Sequence, residues 1–290
     1  MIPEAFDYHV PKTLAEALRL LGQFGGEAKV LAGGHSLVPL MKLRLAAPKH
    51  VIDIGRIAEL RYIREDNGKI QIGALATHFE LESSEVLKKK CPLLPETAKE
   101  IGDVQVRNKG TLGGSLAHAD PAADWPAAVL SLDGEIKASS TRGERWIPAR
   151  DFIQGVFTTS LKPDEILTAV RVPALPLGGG DGYLKLHHPA SGFAIVGVAV
   201  RMVLGAKGTV DQVSVGLTGV GPKAYRAGGV EKSLLGKPPS AKRIEEAAAQ
   251  AAEGIEANSD LYASAEYRAH LARVYTRRAL EKALERASPK

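Results

Sequence analysis

Cysteine is nearly absent from this 290-residue chain. The single one, Cys91, leaves no partner for an internal disulfide, and it falls far short of the roughly four thiolates that hold an iron–sulfur cluster. We expect Cys91 to be a buried or incidental thiol. The chain is therefore not expected to carry a disulfide framework or an iron–sulfur centre of its own.

Aromatic residues are also scarce, at 5% of the chain. The formal net charge is +5, but the basic residues are scattered, with short clusters at Lys88–Lys90 and Arg277–Arg278. Nucleic-acid binding usually combines a clustered basic surface with interleaved aromatic side chains, and this pattern does not predict it. A mildly basic surface of this kind suits solvent or an acidic partner subunit.

Long apolar runs are missing as well. The longest, such as Phe193 to Val200, contain glycine and are too short to span a bilayer, so no transmembrane segment is expected. The N-terminus, Met-Ile-Pro-Glu, lacks the basic start and apolar stretch of a signal peptide. This predicts a cytoplasmic location.

Catalytic signatures are absent too. The sequence contains no Ser/His/Asp pattern, no CxxC, no HExxH and no GxxxxGK[ST], and no GxGxxG follows a predicted strand. We therefore predict no residue for substrate chemistry and no metal site in this chain. With 44% hydrophobic and 24% charged residues, the composition is that of a globular protein of two or three domains.

Paired glycines are what the sequence does contain. Ala32-Gly33-Gly34-His35-Ser36 and Thr111-Leu112-Gly113-Gly114-Ser115 each combine two adjacent glycines with hydroxyl-bearing residues. Glycine lets backbone N–H groups approach a ligand closely and converge on an anion, and the hydroxyls add donors. Double glycines are also common in turns. Two such segments beside apolar runs nevertheless suggest loops that meet around one pyrophosphate.

The hydrophobic periodicity predicts an α+β fold in three units. Residues 1–55 are expected to form a small βαβ-type unit, and residues 56–175 a larger mixed α/β unit. Residues 176–290 are expected to form a C-terminal antiparallel sheet with a helical bundle, after a Pro/Gly-rich linker. Within the second unit, Gly102 to Gly114 reads as a long loop, and Asp124 is placed to cap a helix.

The stretches around the glycine pairs resemble a known family. Residues Ala32 to Arg44, AGGHSLVPLMKLR, are similar to the first flavin-binding motif of the FAD-carrying medium subunits of molybdenum hydroxylases. Residues Asp103 to Asp124 resemble the second motif of that family, and the likeness continues through Thr158–Leu161 and Asp164–Leu167. The nearest type is the carbon monoxide dehydrogenase medium subunit, within the xanthine dehydrogenase family.

This resemblance implies that FAD lies between the first two units, with its pyrophosphate on the backbone of residues 32–36 and 111–115. In the family, an aspartate at the Asp124 position contacts the adenosine end, and a helix cap is the alternative for Asp124. Lys185 lies near the flavin ring in relatives, where a cation would stabilise an anionic reduced flavin. Leu167 and Phe193 are implied neighbours of the flavin, with ordinary core packing as the alternative for both.

Three histidines need separate interpretation. The family binds FAD non-covalently, so His35 is expected to be a pyrophosphate-loop residue and not a covalent tether. His187 and His188 depart from the family, in which many relatives carry arginine there. Adjacent residues of a strand point to opposite faces, and this favours surface or packing roles over a di-histidine metal site.

The function implied by the resemblance is electron transfer. A small partner subunit would carry two [2Fe-2S] clusters and a large partner the molybdopterin cofactor, in a dimer of heterotrimers. The substrate (carbon monoxide, an aldehyde, a purine, another N-heterocycle or an aromatic acyl-CoA) and the external acceptor (quinone, NAD or another) stay open. One alternative is a self-contained FAD oxidoreductase of the vanillyl-alcohol oxidase type. Another is a non-enzymatic nucleotide-binding or scaffold module.

Overall fold

A computed structural model describes residues 1–287. The chain begins with a small parallel sheet. Its strands, in the order β1-β3-β2, are β1 Asp7–His9, β2 Ala28–Leu31 and β3 His50–Asp53. Helix α1 (Leu14–Phe24) starts after Thr13, whose hydroxyl accepts from the N–H of Glu16. Helix α2 (Leu37–Lys42) follows β2. Residues 32–36 therefore leave the carboxyl end of a parallel strand, a common position for ligand sites.

The middle of the chain contains a five-stranded antiparallel sheet in the order β4-β5-β10-β6-β7. Its strands are β4 Ile63–Asp66, β5 Lys69–Gly73, β6 Glu135–Ser140, β7 Gly143–Pro148 and β10 Ile166–Pro173, and a small separate pair is β8 Ile153–Gly155 with β9 Thr158–Thr159. Six helices accompany them: α3 His78–Ser83, α4 Glu85–Lys90, α5 Leu93–Lys99, α6 Val104–Lys109, α7 Leu112–His118 and α8 Asp124–Ser131. Their apolar side chains form one core around the fully buried Trp125.

The expected long loop from Gly102 to Gly114 is wrong. Helix α6 occupies its centre, because the Asp103 carboxylate accepts from the N–H of Val106 at 2.8 Å. Helix α7 begins within the second glycine segment, with Thr111 as its N-cap. Glycine is unfavourable in helices, but these caps and the packing of Leu112 and Leu116 override local propensity.

The C-terminal part combines a four-stranded antiparallel sheet with three helices. The strands, in chain order along the sheet, are β11 Gly179–His187, β12 Ala194–Leu204, β13 Val210–Thr218 and β14 Tyr225–Arg226. The helices are α9 Gly228–Leu234, α10 Ala241–Ala248 and α11 Ala265–Ala287. Together these parts confirm the predicted α+β class. The final residues of the expected unit 176–290, namely 288–290, lie outside the described residues.

The C-terminal sheet packs directly on the chain that leads into α8. The Thr218 hydroxyl lies 2.9 Å from the carbonyl oxygen of Pro121 and 2.7 Å from that of Ala123. Cys91 is fully buried, as expected, and burial raises the pKa of its thiol to about 12. Over residues 1–287, no helix combines the length and apolar character needed to cross a membrane.

Candidate functional site

The first glycine segment is shaped by two glycines with different constraints. Gly34 has a φ of +76°, in the left-handed region that L side chains rarely adopt. Gly33 lies against the end of α6. A Cβ built on Gly33 would be 2.1 Å from the carbonyl oxygen of Lys109 and 2.9 Å from the Cα of Gly110. A side chain at position 33 would therefore force the two segments apart.

The backbone of this segment is rich in unused donors. The N–H groups of residues 33–36 have no hydrogen-bond partner within residues 1–287. The Ser36 hydroxyl makes no cap hydrogen bond, and Nδ1 of His35 donates to the carbonyl oxygen of Gly33 at 3.0 Å. Consecutive free N–H groups around a left-handed residue form a concavity suited to an anion. The segment has the donors that a phosphate group requires.

The second glycine segment is organised differently from the expectation. Thr111 accepts from the N–H of Gly114 at 3.1 Å, and the N–H of Ser115 donates to the carbonyl oxygen of Thr111. The N–H groups of Leu112 and Gly113 donate to the carbonyl oxygens of Ala76 and Ala74. The backbone donors of residues 112–115 are therefore used inside the protein. Among the described residues, the N–H of Thr111 and the hydroxyl of Ser115 have no partner and stay available.

The structure brings the two glycine segments into contact, although they lie far apart in sequence. Besides the contact of Gly33 with Lys109 and Gly110, a Cβ on Gly114 would lie 3.7 Å from the Cβ of Ala32. The free N–H groups of the first segment thus lie beside the hydroxyl-bearing residues of the second segment. This donor set fits the pyrophosphate of FAD, which carries two charged groups and no donor of its own.

A buried imidazole lies beside the junction of the two segments. His78, the first residue of α3, is 4% exposed, and its Nδ1 accepts from Nε1 of Trp125 at 3.1 Å. Its Nε2 faces Gly110, since a Cβ built there would be 2.6 Å away. Burial, assisted by the charges of His35 and Arg107, lowers the pKa of His78 to about 3, so the ring is neutral.

Sequence reasoning missed both His78 and Trp125. One local signal was available, because Thr77 and Glu80 form a capping box that fixes His78 in the first turn of α3. The contact with Trp125 spans 47 residues and follows only from the tertiary fold.

Asp124 and Lys185 form a buried ion pair. Nζ of Lys185 donates to the Asp124 carboxylate at 2.9 Å and to the carbonyl oxygen of Glu100 at 2.9 Å, and the Tyr183 hydroxyl donates to the other carboxylate oxygen. The side chains of Lys185 and Asp124 are 1% and 4% exposed. Burial raises the pKa of Asp124, and burial together with the Asp124 carboxylate raises that of Tyr183.

This ion pair corrects one expectation. Asp124 is not the helix cap, since α8 begins at Asp124, its N-cap is Ala123, and no side-chain cap hydrogen bond is made. The implied FAD contacts of Asp124 and Lys185 stay predictions, and the structure adds that the two side chains bind each other. The carboxylate satisfies the buried ammonium and hydroxyl instead of the helix terminus.

The two implied flavin neighbours lie in different surroundings. Leu167 is 4% exposed in β10, at a register irregularity between Leu167 and Ala169, and belongs to the central core. Phe193 is 44% exposed and directly precedes β12. The next residue, Ala194, donates to the carbonyl oxygen of Ala122 at 3.3 Å. Phe193 therefore stands where the C-terminal sheet meets the segment between α7 and α8.

His187 and His188 have separate partners. Nε2 of His187 lies 2.8 Å from the carboxylate of Glu100. Nδ1 of His188 accepts from the N–H groups of Ala190 and Ser191, and its ring meets Tyr262 edge-on at 4.1 Å. These contacts agree with the expected surface and packing roles.

Comparison with known families accounts for almost the whole chain. Residues 4–175 match the FAD binding domain in molybdopterin dehydrogenase. Residues 182–283 match the CO dehydrogenase flavoprotein C-terminal domain. The C-terminal part of the chain is therefore similar to a domain of the carbon monoxide dehydrogenase flavoprotein.

Individual relatives agree with this result. The chain is 42% identical over 288 residues to the carbon monoxide dehydrogenase medium chain of Hydrogenophaga pseudoflava, covering 99% of this chain and 100% of the relative. It is 39% identical over 289 residues to the 6-hydroxypseudooxynicotine dehydrogenase complex subunit alpha of Paenarthrobacter nicotinovorans, covering 100% and 98%.

A solved structure gives the same answer. The fold superposes on a chain of carbon monoxide dehydrogenase from Hydrogenophaga pseudoflava with a TM-score of 0.96 and 43% identity, covering 99% of this chain and 100% of that one. The shared fold includes a domain whose cofactor is FAD, and the relatives are dehydrogenase subunits. The chain belongs to the family of FAD-binding medium subunits of molybdenum hydroxylases, of the carbon monoxide dehydrogenase and xanthine dehydrogenase type.

Proposed function

We propose that this chain is the electron-transfer subunit of a molybdenum hydroxylase complex. When bound, FAD would supply the redox chemistry that connects the [2Fe-2S] clusters of a small partner, which deliver single electrons, to an external acceptor that takes electron pairs. A large partner with the molybdopterin cofactor oxidises the substrate. The match to medium subunits over the full chain supports this division of roles.

We propose that the pyrophosphate of FAD lies at the junction of Ala32–Ser36 and Thr111–Ser115. The observation that carries this placement is the run of free N–H groups at residues 33–36, held against the second segment by the close approach of Gly33. The hydroxyls of Ser36 and Ser115 and the N–H of Thr111 add donors. His35 shapes the loop through its bond to the carbonyl oxygen of Gly33 and forms no covalent link to the flavin.

The remaining candidate residues act around the ring end of the cofactor. Phe193 covers the flavin from the C-terminal sheet, and Leu167 packs near it from β10. The pair of Lys185 and Asp124 joins β11 to α8 and holds the two matched domains in register. We propose that both side chains also contact FAD when it is bound, as the family resemblance implies.

The proposed assembly is a dimer of heterotrimers, and the proposed division of this chain is 1–55, 56–175 and 176–290. Native mass spectrometry of the complex, purified from its source through a partner subunit, should show three kinds of chain in equal number. Metal analysis should give molybdenum and about four iron atoms per flavin, the content of two [2Fe-2S] clusters. Acid precipitation should release the flavin, as FAD, into the supernatant.

Other results would contradict parts of this proposal. Flavin retained in the pellet would mean a covalent tether, and FMN in place of FAD would remove the argument for a pyrophosphate site. A homo-oligomer that is free of iron and molybdenum, yet oxidises substrate, would contradict the subunit function and support the self-contained oxidoreductase instead.

A further inference from the structure

His78 is a buried side chain with one ring nitrogen unused. Because Trp125 donates to Nδ1, the single proton of the neutral imidazole resides on Nε2. Nε2 has no hydrogen-bond partner within residues 1–287, and it is not among the fully enclosed side-chain atoms that lack one. This N–H is therefore a free donor that reaches open space from a residue only 4% exposed.

The free donor lies where the two glycine segments meet. A Cβ on Gly110 would be 2.6 Å from Nε2, and a Cβ on Gly33 would be 2.9 Å from the Cα of Gly110. Gly110 thus lies close to both the imidazole and the first segment. The main chain holds this position, since the N–H of His78 donates to the carbonyl oxygen of Gly110 at 2.9 Å.

We propose that Nε2–H of His78 donates a hydrogen bond to a phosphate oxygen of FAD. This inference rests on the proposed position of the pyrophosphate. A phosphate oxygen at the junction would accept from this free N–H, and a hydrogen bond to a charged group is stronger than one between neutral groups. The imidazole stays uncharged, so it donates a directional hydrogen bond without placing a charge beside the ligand.

Trp125 is the positioning residue of this arrangement. If Nδ1 carried the proton, Nε2 would present a lone pair to the phosphate and repel it. The bond from the fully buried indole prevents that tautomer. Trp125 therefore keeps the proton of the His78 ring on Nε2.

The test compares two amide substitutions of His78 in the assembled complex, with FAD removed and then titrated back. Glutamine places its amide N–H near the position of Nε2, whereas asparagine places it near Nδ1 and leaves the phosphate side empty. His78→Asn should weaken FAD binding about 10- to 100-fold, the loss of one hydrogen bond to a charged group. His78→Gln should stay within about threefold of wild type. Trp125→Phe, which leaves the imidazole in place, should weaken binding several-fold.

Riboflavin separates a phosphate contact from general damage to the fold. It has no phosphate, so its affinity should be equal in wild type and His78→Asn, and an equal loss for riboflavin and FAD would overturn the inference. The control is Thr97→Val, which alters another buried polar side chain in the same core and should leave FAD affinity unchanged. If Gly33→Ala abolishes FAD binding and His78→Asn does not, the role of His78 alone is wrong. If neither variant affects FAD, the pyrophosphate is placed wrongly.

Discussion

Substitution of Gly33 by alanine tests the proposed cofactor site at its tightest contact. The new Cβ would lie 2.1 Å from the carbonyl oxygen of Lys109, whereas real Cβ contacts do not fall below 3.0 Å. The difference, 3.0 minus 2.1, means that the two segments must separate by about 0.9 Å. The atoms in the way are backbone atoms, so a side-chain rotation cannot relieve the overlap.

The expected size of the effect follows from the donors that move. Residues 33–36 offer four N–H groups, and a hydrogen bond to a charged group contributes about 1.5–3 kcal/mol. If the displacement breaks two of these bonds, FAD binding loses about 3–6 kcal/mol, which corresponds to a ~100- to 20,000-fold higher Kd. The fold should persist at a cost of about 1–3 kcal/mol, typical of an overpacked site.

The assay is titration of FAD into the deflavinated complex, followed by flavin fluorescence, with circular dichroism to check the fold. Gly22→Ala is the matched control, because a Cβ at this position in α1 meets nothing within 4 Å. It should leave the Kd unchanged and raise helix stability by about 0.5–1 kcal/mol. A Gly33→Ala complex that binds FAD as tightly as wild type would refute the reasoning, and Gly33 would then be an ordinary turn residue.

Two further predictions concern charged pairs. Asp124→Asn or Lys185→Met alone should lower the free energy of unfolding by about 3–5 kcal/mol, because each leaves a buried group without its partner, while the double variant should recover part of the loss in urea titrations. Single losses below about 1 kcal/mol would show that the pair is solvated and not buried. Glu135 accepts from Arg171 and Lys69, and the Arg171 guanidinium lowers its pKa from 4.5 to about 2. Its stabilising contribution is therefore complete above pH 4.5 and lost as pH falls towards 2, so Glu135→Gln should flatten that part of the stability profile.

The sequence predicted elements well where the hydrophobic period is long and unbroken. Strand β13 (Val210–Thr218) and helix α11 (Ala265–Ala287) belong to the part of the chain for which the sequence predicts an antiparallel sheet with a helical bundle. Strand β1 escaped notice, since three residues at a sheet edge give no period. The helices between Gly102 and Gly114 were mistaken for a loop because four glycines in that stretch outweighed the capping residues Asp103 and Thr111.

At the candidate site, the paired glycines predicted that the two segments lie close together. The contact between the two segments follows from the requirement that both approach one ligand, and the structure brings them together at Gly33. The partners of Asp124 did not follow, because its bond to Lys185 spans 61 residues and depends on how the C-terminal sheet is seated. The sequence also did not predict that the N–H groups of Leu112 and Gly113 donate to Ala76 and Ala74, because a contact between segments far apart in the chain depends on the tertiary fold.

The comparisons also bear on where substrate choice lies. Two relatives of nearly equal similarity, at 42% and 39% identity over almost the full chain, are named for oxidation of carbon monoxide and of 6-hydroxypseudooxynicotine. These compounds differ in size, polarity and reacting atom, and a chain that bound both classes directly would have to rebuild its pocket. This chain is nevertheless about equally similar to both relatives, so sequence identity in this subunit does not vary with the compound that is oxidised. This supports the proposed electron-transfer function, in which the ligand of this chain is the same flavin whichever compound a partner subunit oxidises.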